Sequence, residues 1–265
     1  MDTQAPEFLT IDGVRLECRW IRVGGAGRPV LVFLHEGLGC VALWRDFPDR
    51  IARATGCDAF VWSRTGYGRS DPCELPRPVR SMHEEGLNTL ERVLEAAGID
   101  RTVLIGHSDG GSISLIHCGG TPAKRIVGLV TLAAHVFNED LCVQSIEEAR
   151  EAYATSDLRD RLTRYHGDNV DCAFRGWNDV WLHPDFRHWN LEEFLPGITV
   201  PALVIQGADD KYGTPAQVQA IAHQIGGPVE IWMVPGCGHS PHVDARDAVA
   251  ERIGGFVRGL VDGAG

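Results

Sequence analysis

The feature that most constrains this chain is an alternation that begins near residue 30. Continuous apolar runs, "RPVLVFLHEG", "CDAFVWSRTGYGRSD", "RTVLIGH", "RIVGLVTLAAH", "PALVIQG" and "VEIWMVPG", take turns with helix-like segments. An apolar run without polar alternation suits a strand buried on both faces. Between such runs, "SMHEEGLNTLERVLEAAGI" places Leu87, Leu90, Val93 and Leu94 at helical spacing and ends at Gly98, a good helix stop. "ALWRDFPDRIARATG", "SDGGSISLIHCGG", "TPAQVQAIAHQIGG" and "PHVDARDAVAERIGGFVRGLV" also read as helices. Strand–helix alternation predicts an α/β fold: a mostly parallel central sheet with helices on both faces. Ahead of it, "FLTIDGVRLECRWIRVGG" predicts an antiparallel hairpin turning at Asp12 and Gly13.

One segment breaks the alternation. Residues 136–196 hold helix-like pieces, Trp177, Trp181 and Trp189, and no clear strand. They predict a helical cap inserted into a core domain made of residues 1–135 and 197–265. The 265 residues, 44% hydrophobic and 23% charged, suffice for one such globular domain. A net charge of −11 argues against nucleic acid or an anionic membrane as partner, since no basic surface offsets phosphate repulsion. The N-terminal stretch lacks a basic-then-apolar signal pattern, and no run approaches the length of a membrane span. The eight cysteines form no C-x-x-C pair. They are expected to be reduced thiols of a cytoplasmic protein.

Chemistry concentrates in "IGHSDGGS". Gly106-His107-Ser108-Asp109-Gly110 fits G-x-S-x-G, in which a sharp strand-to-helix turn exposes a serine and crowds the positions two before and two after it. The pentapeptide alone also suits a glycine-rich turn, but it lies between a strand-like and a helix-like run. A nucleophilic serine needs a base, and the base an orienting acid. "VIQGADD" ends a strand in a glycine, Asp209 and Asp210; "VPGCGHSP" ends another in a loop carrying His239. Strand ends are where open α/β sheets bind ligands. The order is serine, acid, histidine.

From "VLVFLHEGLG" through "GYGRSD", "GHSDGG" and "IQGADD" to "GCGHS", nearly the whole chain resembles the α/β-hydrolase fold superfamily. The resemblance implies a Ser108–His239–Asp210 triad, the acid lying three residues past the strand-ending glycine, and gives Asp209 a loop or cap role. It implies oxyanion donors at the backbone N–H of Asp109 and, in the loop after His35, of Gly37. Members usually carry His-Gly-x there, and this chain has His35-Glu36-Gly37, which leaves Glu36 as a structural acid or a contact for a polar substrate group. His107 is expected to pack away from the serine and His35 to brace its loop. Trp177, Trp181 and Trp189 either line an apolar pocket or bind the insertion to the sheet. His183 and His188 lack a matching acid or cysteine cluster, and His242 belongs to no H-E-x-x-H pattern, so no metal is expected, and no organic cofactor.

The expected activity is that of a serine hydrolase cleaving a small carboxylic ester, thioester or lactone, with a small-molecule acyl substrate as its partner. The alternatives are a C–C bond hydrolase of a dicarbonyl compound using the same triad, and a non-catalytic binding module on the same fold. Haloalkane dehalogenases and epoxide hydrolases of this fold carry Asp where this chain has Ser108.

Overall fold

The chain adopts one eight-stranded sheet: β1 (Glu7–Ile11), β2 (Val14–Ile21), β3 (Val30–Leu34), β4 (Ala59–Trp62), β5 (Thr102–His107), β6 (Ile126–Leu132), β7 (Ala202–Gly207) and β8 (Val229–Val234). They lie in the spatial order β1-β2-β4-β3-β5-β6-β7-β8. The pairs β1–β2 and β2–β4 are antiparallel and the rest parallel. The hairpin turns at Asp12 and Gly13, both with positive φ. This computed structural model describes residues 7–263; residues 1–6 and 264–265, the extremities of the expected core domain, lie outside it.

The helices are α1 (Phe47–Thr55), α2 (Ser81–Glu84), α3 (Leu90–Ala96), α4 (Asp109–Gly120), α5 (Asp140–Thr155), α6 (Leu158–His166), α7 (Val170–Trp181), α8 (Pro215–Gln224), α9 (Pro241–Asp244) and α10 (Arg246–Asp262). The central strands are apolar on both faces because each face has its own core. Leu31, Phe33, Val103, Ile105, Leu203 and Ile205 pack with residues of α1 and α10. Their neighbours Val32, Leu34, Leu104 and Val204 pack with α3, α4, α7 and α8. Each fully buried aliphatic side chain of this kind contributes about 1.5–3 kcal/mol.

Three expected helices are interrupted, the last of them at Ala245 between α9 and α10. The segment from Ala42 to Gly56 starts as a 3-10 turn, breaks at Arg45 with φ 53°, and only then enters α1. Between α2 and α3 a π turn spans Glu85–Thr89. A Cβ on Gly86 would stand 2.7 Å from the Ile116 side chain, so the backbone there presses onto α4. His117 Nδ1 lies 2.8 Å from the Gly86 carbonyl, an acceptor that the ordinary helix ladder would otherwise use.

Between β6 and β7 the chain forms α5, α6, α7 and 3-10 turns, with one isolated bridge from Phe137 to Asn190. α5 and α7 are joined by a Tyr153–Phe174 stack at 3.7 Å and by Asn178 Nδ2–H donating to the Ile146 carbonyl. His166 fastens α6 to the sheet side: Gly68 N–H donates to its Nδ1, and its Nε2 meets the Leu38 carbonyl at 3.0 Å. All eight cysteines are free; Cys73 and Cys172 face each other with Sγ atoms 2.8 Å apart.

Candidate active site

Three parallel strands end at one edge of the sheet, and each leads directly into one of the expected catalytic residues. β5 leads into Ser108, which takes φ 51° and ψ −117° before α4 starts. A non-glycine residue in that region costs about 1–3 kcal/mol, held here by its surroundings. Those surroundings admit no side chain at two places. A Cβ on Gly106 would lie 2.3 Å from the Gly110 carbonyl oxygen, and one on Gly110 would lie 2.1 Å from that of Leu34. The glycines of G-x-S-x-G are therefore required by backbone-to-backbone contact at the turn.

β7 leads into Asp209 and Asp210, and β8 into the loop carrying His239. His239 Nδ1 is 3.0 Å from both carboxylate oxygens of Asp210, and its Nε2 is 2.9 Å from Ser108 Oγ. A carboxylate only accepts, so it fixes the imidazole proton on Nδ1 and leaves the Nε2 lone pair facing the serine hydroxyl. The Asp210 side chain is buried and also accepts from Tyr212 N–H. Burial pushes its pKa upward, but the bond and charge of His239 outweigh that and hold it below the ordinary carboxylate value. Asp209 is exposed, and its N–H donates to the Cys237 carbonyl.

Asp109 is the first residue of α4, so its N–H has no acceptor within the helix. Its carboxylate turns the other way, 3.2 Å from Trp181 Nε1 and 3.9 Å from Arg64 Nη2. Burial drives its pKa up, partly offset by Arg64 and Trp181. Arg64 itself is buried and donates to the carbonyls of His35 and Glu36, with its charge over the Tyr67 ring. His35 braces the same loop: its Nδ1 is 2.7 Å from the Glu36 carbonyl and its Nε2 accepts from Arg64 N–H. The loop that carries Gly37 is thus held from two sides.

A cavity of about 210 Å³ is lined by Gly37, Leu38, Ser108, Ile146, Trp177 and His239, with Glu36, His135, Cys142, Trp181, Tyr212 and Ser240 completing its wall. Trp177 packs so closely on the oxyanion-side loop that a Cβ on Gly37 would stand 2.1 Å from its indole. Trp177 and Trp181 also line a second, smaller pocket, into which Arg64, Arg77, Glu85 and Asp109 bring charge. Trp189 is elsewhere, buried among Phe186, Trp181 and His83. Of the three tryptophans, the cavity brings together two.

His107 does not face Ser108; it is buried against Glu36, the His239 carbonyl and the His242 ring. His183 stands with Asp185, and among the described residues no group of three His, Cys, Asp or Glu side chains could hold a metal ion. Likewise no helix among them is long and apolar enough to cross a membrane. Sequence reasoning missed Arg64, His135, Tyr212, Cys142, Leu38, Ile146 and Ser240. Only Arg64 left a signal: a charge two residues past a fully apolar strand must find partners.

Comparison with known proteins agrees with this architecture. The proline iminopeptidase of Lactobacillus delbrueckii subsp. lactis is 23% identical over 89% of this chain and 92% of its own length. The crystal structure of a proline iminopeptidase from Mycobacterium smegmatis superposes with a TM-score of 0.73, at 18% identity over 98% of this chain and 100% of that one. The enol-lactonase of Burkholderia xenovorans LB400 superposes at 0.68, with 20% identity over 95% and 99%. A sequence profile described as the alpha/beta hydrolase family matches residues 31–252, well over half of the molecule. By sequence and by fold, then, the chain belongs to the alpha/beta hydrolase family.

Proposed function

We propose that this protein hydrolyses a small carboxylic ester, thioester or lactone through an acyl-enzyme on Ser108. The observation that carries the reading is the unbroken relay from Asp210 through His239 to Ser108 Oγ, with contacts of 3.0 Å and 2.9 Å. Ser108 Oγ attacks the carbonyl carbon while His239 Nε2 takes its proton. Asp210 keeps the tautomer and stabilises the imidazolium. The N–H groups of Asp109 and Gly37 hold the oxyanion. His239 returns the proton to the leaving alkoxide or thiolate, and the acyl-serine forms. Water, deprotonated by His239, then attacks the acyl carbon; the carboxylic acid leaves and the proton returns to Ser108. Side chains and backbone of this chain carry every step.

In this reading residues 136–196 form the cap, because α5 and α7 supply Cys142, Ile146, Trp177 and Trp181 to the wall. A cavity of about 210 Å³ is small for a ligand site and mostly apolar where the cap meets it, which suits a short acyl group. The enol-lactonase neighbour accords with ester cleavage. The names of the iminopeptidases favour a second reading, release of an N-terminal residue from a peptide by the same triad.

The test is steady-state hydrolysis of p-nitrophenyl acetate and of L-proline p-nitroanilide by wild type and by Ser108→Ala. Ester turnover that falls by about 10³-fold or more in the variant is expected. Wild-type rates in Ser108→Ala contradict the triad; anilide turnover exceeding ester turnover selects the peptidase reading.

A further inference from the structure

Glu36 places a carboxylate in the wall of the cavity, one residue before Gly37 and packed against Gly39, with its side chain 26% exposed. A free negative charge there would oppose the oxyanion. Its Oε2, however, lies 3.4 Å from Nδ1 of His107, the residue before Ser108. The other ring nitrogen, Nε2, lies 2.8 Å from the carbonyl oxygen of His239. With Glu36 ionised, both nitrogens face groups that only accept. A neutral imidazole has one N–H and an imidazolium two, so only the charged ring satisfies both contacts.

The neighbours are compatible with that charge. His107 is faced by Glu36 from the β3 loop, by His239 with Asp210 behind it, by His242 of α9 at 4.7 Å between rings, and by the edge of Trp44; His35 acts on Glu36. His242 is driven down to about 3, chiefly by burial and then by His107, and so stays neutral. For His107 burial lowers the pKa, but Glu36 and the His239 carbonyl raise it further, to a net value above the ordinary one. For Glu36 burial acts upward, and the bond and charge of His107 overcome it, leaving the carboxyl well below its usual range.

We infer that Glu36 and His107 are positioning residues: an ion pair, buried on the His107 side, that ties the loop of the oxyanion donor Gly37 to the loop of the base His239. Glu36 is spent on His107 and does not recognise a cationic substrate. The inference rests on the triad reading for its catalytic consequence, and on the two nitrogen contacts together with an ionised Glu36 for the charge of His107.

The experiment compares wild type, Glu36→Gln, Glu36→Asp and His107→Asn. Nitrogen-15 spectra of histidine-labelled wild type at pH 7.5, without substrate, should contain one ring with both nitrogens protonated, absent in His107→Asn. Glu36→Gln should lower kcat for p-nitrophenyl acetate about tenfold or more with KM within about twofold, since misplaced catalytic groups cost turnover. It should also shift the alkaline loss of activity to lower pH, because His107 gives up its proton sooner. Glu36→Asp should recover part of the rate. A singly protonated His107 in the wild type overturns the ion pair, whether or not the variants fold. Unchanged kcat with KM altered only for amine-bearing esters assigns Glu36 to the substrate instead. Full activity in Ser108→Ala sinks the catalytic reading while leaving the spectroscopic result standing.

Discussion

At the scale of single residues the site depends on separating backbone from side chain at Asp109. Its N–H belongs to the proposed oxyanion hole, while its carboxylate sits behind Trp181 with Arg64. Asp109→Asn keeps the N–H and loses the charge. It should hold kcat/KM within about tenfold of wild type, against about 10³-fold or more for His239→Ala. It should also destabilise by about 1–3 kcal/mol, since the buried guanidinium loses its carboxylate neighbour; urea unfolding measures this. Ser108 and His239 were legible in the sequence because each follows a recognisable apolar strand; pattern left Asp209 and Asp210 open, and the family resemblance chose Asp210. Arg64 and His135 were not, because their roles come from contacts with distant segments: Arg64 grips His35 and Glu36, and His135 meets Tyr212. The direction of Glu36 was beyond pattern for the same reason, being set by His107 on another strand.

At the scale of elements, the turn from β5 into α4 is the least tolerant part of the fold. Gly110→Ala drives a methyl into the Leu34 carbonyl, a backbone atom that cannot swing aside. The variant should lose at least about 3 kcal/mol of stability or fail to accumulate folded, as thermal melting will show. Helix α7 sets the size of the cavity. Trp177→Ala should raise the ratio of kcat/KM for p-nitrophenyl octanoate over acetate about tenfold, by making room for a longer chain. Periodicity recovered the strands and the long helices. It missed the break at Arg45, the π turn at Glu85–Thr89 and the division of α9 from α10; at the π turn the cause is packing, Gly86 pressed against Ile116.

At the scale of the whole molecule, the two-faced core supports a set of buried histidines that makes stability depend on pH. Burial, with the charge of His239 next, holds His135 down at about 4 against an ordinary 6.5; burial and His107 hold His242 down at about 3. Between pH 6.5 and those values the unfolded chain binds protons that the folded chain refuses. Their contribution is complete above 6.5 and lost as pH falls, at about 1.4 kcal/mol per pH unit for each. His107 has the opposite sign: its contribution is present below 6.5 and lost as pH rises through its raised value. Urea midpoints should therefore fall from pH 7 to pH 5, and His242→Gln should reduce that slope by about one proton. The alternation of strands and helices made this architecture readable in advance. The path of residues 136–196 was not, since helices that pack on one another carry no mark of where they lie on the sheet.

The central claim is that Ser108 is the nucleophile that His239 and Asp210 activate. Intact-mass and peptide mapping after treatment with a fluorophosphonate test it most directly. The account predicts one phosphonyl group per chain, on the peptide containing Ser108, with labelling abolished in Ser108→Ala and slowed about 10³-fold or more in His239→Ala. A folded protein that stays unlabelled, or that carries the label on another residue, contradicts it.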